Sequence, residues 1–395
     1  MQRFQYSGMP KVYFGEGALQ DALDQELPAV GENVLLAYGG GSIRKNGVYD
    51  EVLALLGKYG KNVVEFTGIM ANPTYEKVQE GAKLAKENEI DFILAVGGGS
   101  VIDCCKIVSA QAKMDRDIWK AEFEEHVFPT EFIPMGAVTT ASGTGAEMNA
   151  GAVITNTAAK QKNGMGGALS SFVVLDPAYT LSVPKMQAVS GAFDTLSHCM
   201  ETYFGRPAEN NVSDEMNEAV MRNTIRNIRA MIRDPKDVGA RAELMWDSSM
   251  AENGILKLGK TTDFQVHMLE HQLGAYTDCS HGQGLAVLHP AVYRHLLKDN
   301  TAKFARFARE VWGVGNSDPD EKAAEAGIDA LAGFIREIGL PTTLRELKKN
   351  MGDDQPDPTD VELLRKVADS TIVTAGCARK IGADEFFEIL TECVG

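Results

Sequence analysis

Four of the chain's seven histidines fall at spacings that suit a shared metal ion. Asp194 and His198 are four residues apart within GAFDTLSHCMETYF, and His267 and His271 are four apart within HMLEHQLG. On a helix, residues i and i+4 share a face, so each pair can be aimed at one point. His281 comes ten residues after His271, past a short loop, and opens HGQGLAVLHP. Two helices and a loop can thus close a shell of imidazole and carboxylate groups, which suits Fe or Zn. The plainer alternative is a set of buried polar residues satisfied by hydrogen bonds; an aspartate and three histidines gathered in one helical region favour the metal. His126, His289 and His295 have no partner at ligand spacing and read as structural or surface groups. Cys199 and Cys279 adjoin ligand candidates but read as small core residues. One pattern competes: His267-Met-Leu-Glu270-His271 matches H-x-x-E-H, in which two histidines bind zinc and the glutamate is a general base for peptide hydrolysis. That reading leaves Asp194, His198 and the glycine-rich first half without a role.

A second chemistry is written in glycine. Gly39-Gly40-Gly41-Ser42 follows the apolar run NVLLAY, and Gly97-Gly98-Gly99-Ser100 follows DFILAV and opens VIDCCKIVSAQAK. Glycines at a strand end permit a sharp turn and let a phosphate approach the backbone. The helix start that follows offers unpaired N–H groups and a positive dipole end. Neither run is G-x-G-x-x-G or a P-loop. Thr139-Thr140-Ala-Ser142-Gly143-Thr144-Gly145 again follows a strand-like run and is rich in hydroxyls and backbone donors.

The elements that must carry these groups divide into two kinds. Strands are expected at Asn33–Tyr38, Asn62–Phe66, Asp91–Val96, Phe132–Thr139, Gly151–Thr155 and Ser171–Leu175, alternating with helices such as Tyr75–Glu87 and Ser100–Lys113. That order predicts β-α-β units around a mainly parallel sheet, with Gly151–Asp176 as an added hairpin. From Pro184 onward 3.6-residue periodicity takes over, at Met186–Phe204, Asp214–Arg233, Gly239–Leu256, Thr301–Trp312, Glu321–Ile338 and Thr359–Ser370. Pro184, Pro207, Pro235, Pro290 and Pro341 are expected to punctuate the helices.

The totals narrow the field. A chain of 395 residues exceeds one ordinary core, so two domains are expected. A net charge of −16 argues against nucleic acid as a partner. Six cysteines without a C-x-x-C pair suggest reduced thiols in the cytoplasm. No leader-like segment opens the chain, and no apolar run is long enough to span a bilayer, so no membrane role is expected.

PKVYFGEGAL, YGGGSIRKNG, GGGSVIDCCK, TTASGTGAEMN, VVLDPAYTLSVP, FDTLSHCMETYF and HMLEHQLGAYTDCSHGQGLA together resemble the iron-containing, or group III, alcohol dehydrogenases, in the branch of butanol dehydrogenases and NADPH-dependent aldehyde reductases. The resemblance spans essentially the whole chain. It implies an α/β N-terminal dinucleotide-binding domain (1–182) and an all-α C-terminal metal-binding domain (183–395), the architecture of dehydroquinate synthase-like proteins. It implies that Asp194, His198, His267 and His281 hold one Fe²⁺ or Zn²⁺ and that His271 is catalytic. The cofactor is expected over Gly39, Gly40, Gly41 and Ser42, with Gly97, Gly98, Gly99, Ser100 and Asp103 facing pyrophosphate and ribose. Thr139, Thr140 and Thr144 approach the nicotinamide half, Asn72 the adenosine side and Lys160 the ribose. The implied reaction is hydride transfer between NAD(P)H and a small primary alcohol/aldehyde pair such as butanol and butanal, in a homodimer. A glycerol-dehydrogenase-like polyol oxidoreductase or a dehydroquinate-synthase-like lyase shares the architecture; His198 four residues after Asp194 favours the alcohol dehydrogenase. A non-catalytic dinucleotide sensor would leave the ligand set idle. NADP(H) is expected over NAD(H), because no acidic residue follows the first glycine run before Asp50, Gly40 leaves room, and Arg44 or Lys45 can neutralise a 2′-phosphate.

Overall fold

The structure is a computed structural model that describes residues 2–6, 8–373 and 379–395; Cys377 lies outside them. The chain forms two compact units, residues 8–184 and residues 185–395 with the N-terminal segment 1–7.

The first unit is built on apolar strands too short and too uniformly hydrophobic to be anything but the inside of a parallel sheet. Eight strands occur among the described residues: β1 (Lys11–Phe14), β2 (Asn33–Tyr38), β3 (Asn62–Phe66), β4 (Phe92–Gly97), β5 (Met135–Thr139), β6 (Gly151–Asn156), β7 (Gln161–Gly166) and β8 (Phe172–Leu175). Six of them form one sheet in the order β1-β8-β5-β4-β2-β3, and every pairing in it is parallel. β4, β5 and β8 are buried at every residue, as strands covered on both faces must be. β6 and β7 pair antiparallel as a separate hairpin.

Two expectations change here. β1 was not foreseen: its four residues are too few to show a period, and it exists because β8 offers an edge. Ser171–Leu175 is not part of the hairpin. Its core, Phe-Val-Val-Leu, is apolar on both faces and inserts between β1 and β5.

The second unit is helical. Lys185–Tyr203, Val212–Arg233, Val238–Glu252, Gln265–Thr277 and His281–Leu296 lead into Thr301–Trp312, Asp320–Glu337 and shorter helices to Glu392. Asn211 starts one with a reciprocal capping box to Asp214, and Asp237 caps another by accepting from the Ala240 N–H. Three readings change in this unit. The helix expected to reach Leu256 stops at Glu252, because Gly254 takes a left-handed φ of 87°. His281 is not in a loop but is the first residue of a helix, and that helix runs through Pro290. The backbone hydrogen bond forfeited at Pro290 is outweighed by full burial of Leu285, Leu288, Val292 and Tyr293 around it. No helix among the described residues is long and apolar enough to cross a membrane.

Helices Lys185–Tyr203 and His281–Leu296 meet at Gly282, where a Cβ would lie 2.2 Å from the Ser190 carbonyl oxygen. Only glycine permits that approach, which sets His281 beside Asp194. Gly282→Ala is therefore expected to cost about 1–3 kcal/mol by forcing the helices apart. Urea unfolding checks this, and an unchanged midpoint would refute the close-approach role.

Candidate functional site

The helical unit gathers one aspartate and three histidines from three helices. Asp194 and His198 share a face of Lys185–Tyr203, His267 lies in the first turn of Gln265–Thr277, and His281 begins His281–Leu296. The Nε2 atoms of His267 and His281 each lie 3.4 Å from one oxygen, Asp194 Oδ1, and that of His198 lies 3.8 Å from it. Donors bound to one ion at about 2.0–2.1 Å in a tetrahedron stand about 3.3–3.4 Å apart. Asp194 Oδ1 and His267 Nε2 are buried with no hydrogen-bond partner, which is costly unless something else engages them. The donors therefore fit a divalent ion of the Zn or Fe type.

The orientation of the rings supports the same reading. His267 Nδ1–H donates to Glu201 Oε2, and His281 Nδ1–H donates to Glu270 Oε2. With that nitrogen occupied, Nε2 is the nitrogen left to face Asp194, the arrangement in which metal-bound histidines are usually held. Glu201 also accepts from the backbone N–H groups of Val266 (2.7 Å) and His267 (3.1 Å), so it caps the helix that carries the ligand. His198 stacks on His267, ring centroids 4.6 Å apart. Burial disfavours charge on Asp194, yet the imidazoles of His198, His281 and His267 hold its carboxyl well below the usual range. Burial likewise opposes protonation of His267, but Glu201 and Asp194 push it up to about 10. His281 keeps 24 % of its side chain exposed where Asp194 and His267 keep 4 % and 3 %, so solvent reaches the shell beside His281.

His271 is buried with its ring centroid 5.5 Å from that of His281 and 6.0 Å from that of His267. Glu270 is fully buried and accepts from His281 Nδ1, so its carboxylate is engaged in orienting a ring where the peptidase reading needs a general base on water. His289 is a core histidine hydrogen-bonded to Ser197 at 2.6 Å, and His295 contacts Glu385 at 3.0 Å. Cys104, Cys105, Cys199, Cys279 and Cys393 are buried, and none forms a disulfide.

The second cluster lies at the carboxyl ends of β2 to β5. β2 leads outward to β3, whereas β4 leads the other way to β5, so the order reverses between β2 and β4. Such a reversal opens the crevice in which open α/β sheets bind ligands. Both glycine runs flank it. Gly41 takes φ 95° and Gly99 begins the helix Gly99–Lys113, so close to Thr144 that a Cβ would stand 2.1 Å from its Oγ1. Thr139 pairs with Gly97, and the Thr140 N–H donates to the Gly97 carbonyl at 2.9 Å. Ser100 Oγ donates to the Ala71 carbonyl, which draws the Asn72 loop to the same edge.

Two cofactor candidates are engaged otherwise than expected. Asp103 accepts from the Val153 N–H at 3.0 Å and lies 3.6 Å from the buried Lys106 ammonium, so it ties its helix to the hairpin. Lys160 is exposed at the hairpin turn with φ 52°. The lysine that reaches Asn72 is Lys162, buried, with Nζ 3.1 Å from Asn72 Oδ1. Lys162 and Met165 are the buried positions of β7, but three residues apart they fall on opposite faces of the strand, so no strand period in the sequence signals Lys162. Glu201 and Glu270 were legible only as acids three residues beyond His198 and His267. Glu65, at the end of β3, went unread; it engages Arg44 at 2.7 Å.

A crevice of this kind on an α/β unit, with an aspartate and three histidines converging in a helical unit, defines a metal-dependent nicotinamide oxidoreductase. Residues 10–177 match the family model "Iron-containing alcohol dehydrogenase", and residues 188–392 match "Fe-containing alcohol dehydrogenase family, C-terminal". The chain is 37% identical to NADH-dependent butanol dehydrogenase A of Clostridium acetobutylicum, covering 98% of this chain and 99% of that one. It is 35% identical to the NADPH-dependent aldehyde reductase YqhD of Escherichia coli, covering 88% and 89%. The crystal structure of NADH-dependent butanol dehydrogenase A from Thermotoga maritima superposes with a TM-score of 0.92 at 32% identity, covering 100% and 99%. The chain belongs to the iron-containing alcohol dehydrogenase family. It is a metal- and NAD(P)-dependent oxidoreductase of alcohols and aldehydes.

Glu201→Gln should weaken metal binding about 10–100-fold while the metal-free fold persists, because it removes the acceptor that orients His267. Competition with a chromogenic chelator measures this; unchanged affinity would refute the orienting role.

Proposed function

We propose that the enzyme interconverts small primary alcohols and aldehydes such as butanol and butanal, with one Fe²⁺ or Zn²⁺ held by Asp194, His198, His267 and His281. The observation that carries the reading is that the Nε2 atoms of His267 and His281 each stand at ligand–ligand spacing, 3.4 Å, from Asp194 Oδ1, with that of His198 3.8 Å away. When bound, the ion supplies Lewis acidity at the substrate oxygen, and the nicotinamide exchanges a hydride with the substrate carbon. Glu201 and Glu270 keep two ligand rings in register, so no reorganisation is needed as charge develops. His271, beside His281 on the shell's edge, carries the hydroxyl proton between the site and water. Relatives named for butanol and for aldehydes support the substrate class.

For the cofactor, we propose that Gly39, Gly40, Gly41, Ser42, Gly97, Gly98, Gly99 and Ser100 line the dinucleotide, with Thr139, Thr140 and Thr144 toward the nicotinamide. Asn72 stands on the adenosine side. Lys162 takes the ribose role that the resemblance implied for Lys160, and Asp103 acts by anchoring its helix. NADPH is favoured over NADH, because nothing lies within 4 Å of a Cβ built at Gly40 and a 2′-phosphate has room there. A homodimer in the cytoplasm completes the reading; light scattering that returns the 42.8 kDa of one chain would remove the dimer.

Prolonged chelation should abolish butanal reduction, and Fe²⁺ or Zn²⁺ should restore it; full turnover by metal-free protein overturns the proposal. His267→Ala should lose metal and activity together. His271→Ala should keep its metal while kcat falls about 10²–10⁴-fold. Metal analysis beside steady-state kinetics separates the two, and metal loss equal to that of His267→Ala would make His271 a ligand. Gly40→Asp should reverse the cofactor order, since a carboxylate repels a 2′-phosphate and accepts from a free 2′-hydroxyl; a tenfold change in kcat/KM needs only about 1.4 kcal/mol. Kinetics with both cofactors check this, and an unchanged order would move the 2′ subsite elsewhere.

A further inference from the structure

The carboxyl edge of β2 and β3 carries a charged cluster that the reaction does not use. Glu65, the penultimate residue of β3, pairs with Leu36 of β2. Its carboxylate accepts from Tyr49 OH at 2.8 Å, from Tyr38 OH and from Arg44 Nη2 at 2.7 Å. Arg44 lies over the Tyr49 ring, 3.9 Å from its centroid, and its Nε donates to Tyr38 OH at 3.0 Å. This cluster adjoins the first glycine run on both sides. The Arg44 N–H donates to the Gly41 carbonyl at 3.2 Å, and the Gly68 N–H, three residues past Glu65, donates to the Gly39 carbonyl at 3.2 Å. Both charged groups reach solvent, with 48 % of the Arg44 and 38 % of the Glu65 side chain exposed.

Dinucleotide sites distinguish their two cofactors at one place, the adenosine 2′ position. An acidic side chain beyond the glycine turn accepts from a 2′-hydroxyl, and an arginine there receives a 2′-phosphate. Here both kinds of group stand beside the glycine run, bound to each other. Arg44 is the nearest cation in sequence to the open space at Gly40. We propose that Glu65 is a selectivity residue: by holding Arg44 it withholds the guanidinium from a 2′-phosphate and so keeps NADH competitive with NADPH. The proposal rests on the dinucleotide site assigned above. An exposed pair is ordinarily weak, but this one is braced by two tyrosine hydroxyls and an aromatic face, so the arginine is given up only at a cost.

The test is equilibrium binding, which needs no turnover: titration of the purified protein with NADPH and with NADH, followed by nicotinamide fluorescence. Glu65→Gln keeps the size of the side chain but frees the guanidinium, and should tighten NADPH at least tenfold with NADH nearly unchanged. Arg44→Met should leave both cofactors nearly unchanged, because the guanidinium is already withheld, and in the double variant the gain from Glu65→Gln should vanish. Equal ratios in all four proteins would overturn the proposal while leaving the dehydrogenase reading intact. A ratio that rises only because NADH weakens would place the carboxylate on the ribose hydroxyl and overturn the withholding. Failure of the unsubstituted protein to bind either cofactor would remove this proposal together with the dinucleotide site.

Discussion

Much of the helical unit is organised by one buried carboxylate. Glu201 projects from Lys185–Tyr203, two turns beyond Asp194, and accepts three hydrogen bonds from the start of the next ligand-bearing helix: the N–H groups of Val266 and His267 and the Nδ1–H of His267. A charge in a fully buried place is tolerable only if it is so satisfied. The same contact answers the unpaired N–H groups of a helix start and complements its dipole. It also settles which His267 nitrogen is left to face Asp194. Burial raises the proton affinity of Glu201, and His267 with the backbone donors returns it below the ordinary range. Glu270 repeats the device for His281.

The α/β unit solves a different problem with almost no charge. A polyanionic cofactor must be held by a protein of net charge −16. Backbone donors at strand ends are suited to this, because N–H groups and a helix dipole attract phosphate whatever the surrounding acids sum to. The reversal of strand order between β2 and β4 opens space for the ligand, and the glycine runs keep that space free of side chains. The charged residues nearby pair among themselves: Glu65 with Arg44, and Asp103 with Lys106.

Local periodicity carries part of this protein and fails at identifiable places. The four-residue spacings of Asp194–His198 and His267–His271 encode shared helix faces, because a helix repeats every 3.6 residues whatever surrounds it. The apolar runs NVLLAY and FILAV followed by glycine likewise encode buried strands and their turns. β1 and β8 are different: β1 has too few residues to show a period, and β8, though legible as a strand, takes a place that depends on neighbours distant in sequence. Pro290 reads as a break only when the energy of burying the residues around it is left out.

The sequence by itself determined the residue types and the family: an aspartate and three histidines at helical spacing, two glycine turns after strands, and motifs specific enough to identify the iron-containing alcohol dehydrogenases. Tertiary structure alone decided which groups stand behind those residues. Glu201 and Glu270 orient His267 and His281, Lys162 and not Lys160 reaches Asn72, and Arg44 is held by Glu65. The physical reason is one of range. Spacing along a helix or strand fixes direction within a few residues, but a hydrogen bond between side chains 66 or 90 positions apart exists only once packing has brought the two elements together.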